Sequence, residues 1–181
     1  MTSPHLHSSP DGLRQSIHVR ESRWDEADTT AVRALVRTYL LQTESEKHEH
    51  GQAASPASIM ALPPRYAREV ADPRASYADC TTLLAMIERR PVGVVIIRTD
   101  GGEAEIKRLW ADPDLRGRGL GSALLDAALA LTHGRVRLSV WDWRAPAVRL
   151  YESRGFIRVH SWDDRDRLVC MVRPAHTVPL R

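Results

Sequence analysis

The chain is poor in several residues whose abundance would mark a class. Of its 181 residues two are Cys, one is Phe and two, Lys47 and Lys107, are Lys. Cys80 and Cys170 are too few and too far apart for a disulfide framework; two reduced, buried thiols in a cytoplasmic protein are expected instead. No apolar run approaches the ~20 residues of a membrane span, and the longest, Val92 to Ile97, has the length of a buried strand. The first residues lack a charged stretch followed by an apolar one, so no secretory signal is expected. With Lys almost absent, Arg supplies 24 of the 26 basic residues, a usage typical of GC-rich bacterial genomes. These Arg are scattered, are not interleaved with aromatics and leave a net charge of only +3, so neither a nucleic-acid nor a membrane partner is expected.

What is present suits one domain with a full-sized core: 43% of the residues are hydrophobic. Residues 1–15, rich in Ser, Pro and His, read as a disordered tail in which His5 and His7 are solvated. The domain is expected over 16–173, with a short irregular tail at 174–181. Ile17 to Glu21 alternates like an edge strand. Asp25 stands at an N-cap position ahead of Ala31, Leu35, Val36 and Tyr39 at helical spacing. Glu44 to His50 is a polar, helix-capable run broken by Gly51, and a second helix falls near Pro64 to Val70. His48 and His50 are two apart, which on a helix points them about 200° apart; with no third ligand nearby, no metal is expected. Strands follow at Thr82 to Ile87, Pro91 to Arg98 and Glu103 to Ala111. Then come a helix from Ser122 to Leu131, a strand from Val136 to Val140 and a helix ending near Arg154. Phe156 to Trp162 and Leu168 to Val172 form a terminal hairpin.

The most informative stretch is Arg116-Gly117-Arg118-Gly119-Leu120-Gly121, between a strand and a helix. That order presents unpaired backbone N–H groups at a helix N-terminus, which suits a pyrophosphate, and glycine lets the phosphate approach the backbone. The dinucleotide fingerprint G-x-G-x-x-G fails because position 122 is Ser, and no Lys follows a glycine as a P-loop requires. The run does match R-x-x-G-x-G, the coenzyme A pyrophosphate signature of the GNAT N-acetyltransferase family. Ala147-Val148-Arg149-Leu150-Tyr151-Glu152-Ser153-Arg154-Gly155-Phe156 is similar to that family's A-x-x-L-Y-E-x-x-G-F segment. The resemblance implies an α/β (α+β) GNAT fold. Its mixed sheet would have six to seven strands, splayed between the fourth and fifth, with about four helices. It also implies acetyl-CoA as co-substrate, held by Arg116 to Ser122 and by the backbone of Leu109, Trp110 and Ala111.

Tyr151 fills the family's tyrosine position, implied to protonate the departing thiolate; packing in the core is the other reading of it. Glu105 lies 11 residues before Arg116, the spacing of the family's catalytic Glu in its histone-acetylating branch. Simple alternation sets Glu105, Lys107 and Leu109 on one face and Ile106, Arg108 and Trp110 on the other. Glu105 is thus either a general base acting through water or a surface carboxylate paired with Lys107 or Arg108. Where the family often has Asn, this chain has Arg144, preceded by Trp141-Asp142-Trp143. Those two Trp form either an aromatic wall beside an anionic spot or a packing contact.

Glu44, Glu46, Glu49, Asp142, Trp143, Asp163 and Asp164 belong to segments that border the acceptor cleft in the resembling fold. They suggest a small cationic amine as acceptor, with antibiotic or toxic-amine inactivation as one use. Protein or peptide N-acetylation, or a non-catalytic coenzyme A-binding module, are the alternatives, in a monomer or homodimer.

Overall fold

The computed structural model describes residues 16–53 and 62–175. The tail expected at 1–15, with His5 and His7, and most of that at 174–181 lie outside the described residues. Seven strands form one mixed sheet in the order β1-β2-β3-β4-β5-β7-β6. They are β1 (Ile17–Glu21), β2 (Cys80–Ile87), β3 (Arg90–Asp100), β4 (Glu103–Ala111), β5 (Val136–Trp141), β6 (Ile157–Val159) and β7 (Leu168–Arg173). Among the described residues five α-helices accompany them where about four helices were expected: α1 (Glu26–Glu49), α2 (Pro64–Ala71), α3 (Pro73–Ser76), α4 (Leu120–Ala130) and α5 (Ala145–Glu152). The extra one, α3, is a single turn that Pro73 starts and Asp72 caps through the Ala75 N–H. No helix among the described residues is long and apolar enough to cross a membrane.

α1 begins where Asp25 accepts the Asp28 N–H at 2.8 Å, and acidic residues in its first turn and basic ones in its last suit the helix dipole. The polar run from Glu44 to Glu49 continues this helix, supported by the Lys47–Glu44 and Gln42–Glu46 pairs one turn apart. β3 is central and covered on both faces, which explains its unbroken apolar run. Two cores follow. Ala85, Val95, Ile97, Leu124, Leu125, Val148 and Phe156 join the sheet to α4 and α5. Val32, Val36, Leu40, Tyr66, Val94 and Ile96 join its other face to α1 and α2.

Two departures from regular pairing shape the site. Neighbouring strands pair antiparallel except β4 and β5, which run parallel and pair only at Ala104–Val136 and Glu105–Arg137. Beyond Glu105 they part. On its other side β4 carries a bulge: Ile106 pairs with Ile97 but Arg108 with Ile96, so Lys107 is an extra residue. The extra residue shifts the phase of the strand and corrects the alternation expected for it. Ala104, Ile106, Leu109 and Ala111 face the α4 core, whereas Trp110 faces the α1 core. Arg108 reaches Glu69 of α2 on that same side. Glu105 thereby falls on the face of Arg108 and Trp110, not that of Leu109.

Candidate active site

A cleft of about 1230 Å³ follows the parting of β4 and β5. Its walls include Leu120 from the α4 side and Leu40 and Tyr66 from the α1–α2 side, so it passes from one face of the sheet to the other.

On the α4 side the cleft is lined by backbone. Gly117 and Gly119 have φ of 76° and 82°, the left-handed region that only glycine enters cheaply. Gly119 is the N-cap of α4 and offers no side-chain cap, and the first intrahelical bond runs from Ala123 N to Gly119 O. The N–H groups of Leu120, Gly121 and Ser122 precede that bond and have no acceptor within the helix. A Cβ added at Gly117 or Gly119 would meet nothing within 4 Å, so the turn is open to a ligand. Arg116 lines the cleft here without an acidic partner among the described residues. Open donors, a helix dipole and one cation fit a pyrophosphate. Arg116, Gly117, Gly119, Leu120, Gly121 and Ser122 line the cleft, as do Leu109, Trp110 and Ala111; Arg118 does not line it and is exposed.

Tyr151 reaches the cleft from α5 and is 6% exposed. Burial pushes its phenol well above the usual range; Tyr39 adds to the shift and Arg144 opposes it. Glu105 stands where the sheet parts, with Oε1 3.3 Å from Lys107 Nζ and Oε2 3.2 Å from Arg137. It has partners on both oxygens and remains about a third exposed.

The far side of the cleft is built by a polar network centred on Glu46. Arg144 donates to Glu46 at 2.6 Å, Trp143 at 3.1 Å and Gln42 at 2.7 Å. Gln42 accepts from the Trp110 indole at 2.9 Å, and Arg144 also donates to Thr43. Burial alone would raise the Glu46 carboxyl, but the Arg144 charge and the three donors leave it below its usual value. The Arg that replaces the family's Asn is thus a strut between α5 and α1. Beside it Arg108 forms a two-point pair with Glu69, whose carboxylate also accepts from Tyr77, and the Arg108 guanidinium lies over the rings of Tyr39 and Tyr66.

The carboxylates expected to draw a cationic acceptor are either ion-paired or outside the cleft lining. Glu46 and Asp163 line the cleft, the first engaged by Arg144 and the second by a two-point pair with Arg165 that holds its carboxyl down to about 2. Glu44, Glu49, Asp142 and Asp164 do not line it. Glu44 is turned inward onto Lys47, Asp142 pairs with Arg167, and Glu49 and Asp164 are exposed to solvent. Helical rotation sends Glu44 and Glu49 away from the face that carries Tyr39, Gln42 and Glu46. Trp143 does line the cleft, with His50 and Trp141 stacked on it at 4.3 Å and 4.7 Å between centroids. His48 contacts the Ala53 carbonyl instead of converging with His50. Among the described residues no three His, Cys, Asp or Glu converge as metal ligands would.

Sequence reasoning missed Tyr39, Thr43, Arg65, Tyr66, Glu69 and Arg108, all of which line the cleft. The chain's few aromatics could have signalled some of them: four of its five Trp and three of its four Tyr stand on these walls. The acetyltransferase (GNAT) family matches over residues 41–156. An N-acetyltransferase from Thermoplasma acidophilum, PaiA, solved in complex with coenzyme A, superposes with a TM-score of 0.65 at 20% identity, over 88% of this chain and 99% of that one. The ribosomal-protein-S18-alanine N-acetyltransferase from Escherichia coli gives 0.60 at 19%, over 92% and 99%. At such identities the likeness is one of fold. Mycothiol acetyltransferase from Clavibacter sepedonicus is 44% identical over 71 residues, 37% of this chain. The chain spans about a quarter of the length of the curated relatives it matches, 23% in that case. With more than half of its length inside the family match and the splayed sheet in place, the chain belongs to the GNAT acetyltransferase family.

Proposed function

We propose that this protein transfers the acetyl group of acetyl-CoA to the amine of a small molecule, by direct attack in a ternary complex. The observation that carries this reading is the through-sheet cleft. Open N–H donors face it from one side, a buried phenol stands within it, and a separate polar chamber opens on the other side. Two substrates can then meet at the splay without crossing.

When bound, acetyl-CoA would supply the activated thioester. Arg116 and the N–H groups of Leu120 to Ser122 would hold its pyrophosphate, and the backbone of Leu109 to Ala111 its pantetheine arm. Burial keeps Tyr151 protonated, the form needed to donate from its hydroxyl to the departing sulfur. Arg144 nearby offsets part of the cost of the phenolate that results. Glu105, at the start of the splay, would take the ammonium proton through water. Rates should therefore rise with pH as the acceptor amine loses its proton.

The finer expectation of a cationic acceptor draws little support from the cleft. Its carboxylates each have a cationic partner, so they offer no uncompensated negative charge.

Calorimetric titration with acetyl-CoA, beside thiol release in the presence of amines, tests the reading. Gly119→Glu should abolish binding by bulk and charge, at a backbone cost of about 1–2 kcal/mol for a left-handed non-glycine residue. Arg116→Ala, free of that strain, should weaken binding only in part. Unchanged affinity in a folded Gly119→Glu protein would remove the coenzyme assignment.

A further inference from the structure

The charges of the cleft separate by their partners. Five carboxylates line it: Glu46, Glu69, Glu105, Asp112 and Asp163. Each has a cation within ion-pair distance, respectively Arg144, Arg108, Lys107, Arg90 and Arg165. Of the six lining cations two, Arg65 and Arg116, have no carboxylate within ion-pair distance among the described residues, and the charge that acts with Arg65, Asp163, is already held by Arg165. Arg65 and Arg116 stand at opposite ends. Arg116 belongs to the glycine turn before α4, on the face given to the pyrophosphate. Arg65 is in α2, on the other face, where the acceptor would enter.

Arg65 is also held ready. Its guanidinium lies 4.6 Å from the centroid of the Tyr66 ring and donates to the Tyr66 hydroxyl at 3.0 Å, and its other donors have no hydrogen-bond partner among the described residues. Arg165 approaches the same hydroxyl from the loop between β6 and β7. Its Nε and Nη2 are engaged by Asp163 while Nη1 is not, and its guanidinium rests over the Trp141 ring. Two guanidiniums from separate elements therefore stand on the same side of the cleft, Arg65 bonded to the Tyr66 hydroxyl and Arg165 near it, each over an aromatic face. One carboxylate serves the pair, and a group carrying negative charge would complete it.

Aromatic faces that could cage a cationic acceptor are already covered by the chain's own arginines. Arg144 and Arg108 lie over Tyr39, Arg65 over Tyr66 and Arg165 over Trp141. A second cation would meet their repulsion without a free carboxylate to offset it.

We infer that the acceptor carries an oxyanion group, a carboxylate or a phosphate, beside its amine, and that Arg65 with Arg165 receives that group at the α2 end of the cleft. The inference rests on the acetyl-transfer reading above.

It is tested with pairs of amines matched except for the anion: amino acids against their amides, and O-phosphoethanolamine against ethanolamine, with agmatine and spermidine as cationic members. Thiol release from acetyl-CoA is followed for the wild type, Arg65→Gln and Arg65→Lys. The anionic members should be preferred at least 10-fold in kcat/KM, and the amino-acid and phosphate arms distinguish which oxyanion fits. Arg65→Gln should raise KM for the preferred member roughly 10- to 100-fold with a smaller effect on kcat, and Arg65→Lys should recover part of the loss. Acetyl-CoA affinity, read by calorimetry, should be unchanged. Equal or better turnover of the amides, ethanolamine or polyamines would overturn the inference, as would an Arg65→Gln effect that is the same for both members of a pair. A protein that binds acetyl-CoA but acetylates no member would overturn it too. Loss of acetyl-CoA binding in the wild type would instead overturn the reading beneath it.

Discussion

Tyr151 and Glu46 are polar residues withdrawn from water to different ends. Burial makes the Tyr151 phenolate expensive, so the hydroxyl stays protonated and can donate a hydrogen bond to the departing sulfur; full transfer to a thiolate, a weaker base than this phenolate, is uphill, and the Arg144 charge offsets only part of that cost. No described residue hydrogen-bonds this hydroxyl, which leaves it available to the sulfur. Tyr151→Phe keeps the ring that packs on Phe156 and removes only the donor. Turnover should fall about 10- to 1,000-fold with acetyl-CoA affinity nearly intact, and a wild-type rate in single-turnover assays would assign the proton to water or to the acceptor. Glu46 holds three donors, Gln42 from its own helix and Trp143 and Arg144 from the segment between β5 and α5. Glu46→Gln keeps the volume but strips Arg144 of its counter-ion, at a cost of about 2 kcal/mol read from urea midpoints. If Arg144 and Glu46 act as one unit, adding Arg144→Gln should cost less than the sum of the two single changes.

Element by element, β4 does the most to make the site. It leaves β5 after two paired positions, takes in an extra residue at Lys107 and packs closely on β3 at its far end. Gly93 of β3 is what permits that approach: a Cβ there would stand 2.9 Å from both the Trp110 carbonyl oxygen and Leu124 Cδ1. Gly93→Ala should therefore destabilise by about 1–3 kcal/mol and also weaken acetyl-CoA binding, because it displaces the carbonyl of the strand given to the pantetheine. A calorimetric affinity equal to the wild type's would show that the backbone at Trp110 makes no such contact. The same strand marks the limit of what the sequence tells. Its existence, the glycine turn after it and the α5 segment were legible, because periodicity and turn chemistry are local. The bulge was not: it is a feature of pairing, and only the register against Ile96 and Ile97 reveals it. Tyr39, Arg65 and Arg108 escaped for a related reason, since their roles depend on α1, α2 and β4 meeting. The carboxylates were found as residues, but their partners, such as Arg144 for Glu46 98 positions away, belong to tertiary structure.

Across the whole molecule, ion pairs that join elements predict how stability varies with pH. Asp28 ties α1 to β1 through a two-point pair with Arg20 and accepts the Arg23 N–H at 2.7 Å. Glu46 ties α1 to Arg144, and Asp126 ties α4 to Arg154 just after α5. In each the folded carboxyl lies below its usual value: the Arg20 hydrogen bonds do this at Asp28 and those from Arg154 at Asp126, while at Glu46 burial opposes and is outweighed by Arg144, Gln42 and Trp143 together. A lowered folded value means that the unfolded chain binds more protons below about pH 4, so this contribution is complete above that pH and is lost as pH falls through it. Tyr77 and Tyr151 act oppositely. Burial raises both, so the unfolded chain loses protons first above about pH 10 and stability falls as pH rises beyond it. A plateau between these limits should appear in urea midpoints measured across the range. Asp28 is the sharpest probe of the acid limb, because its side chain is only 6% exposed and solvent screens it least. Asp28→Asn should cost about 2 kcal/mol at pH 7, where the charge-assisted bonds to Arg20 and the Arg23 N–H are lost or weakened. As pH falls, the wild-type carboxyl takes up a proton and becomes as neutral as the amide. The two unfolding midpoints should then converge; a gap that stays constant down to pH 2 would mean that Asp28 stabilises by its shape and not by its charge.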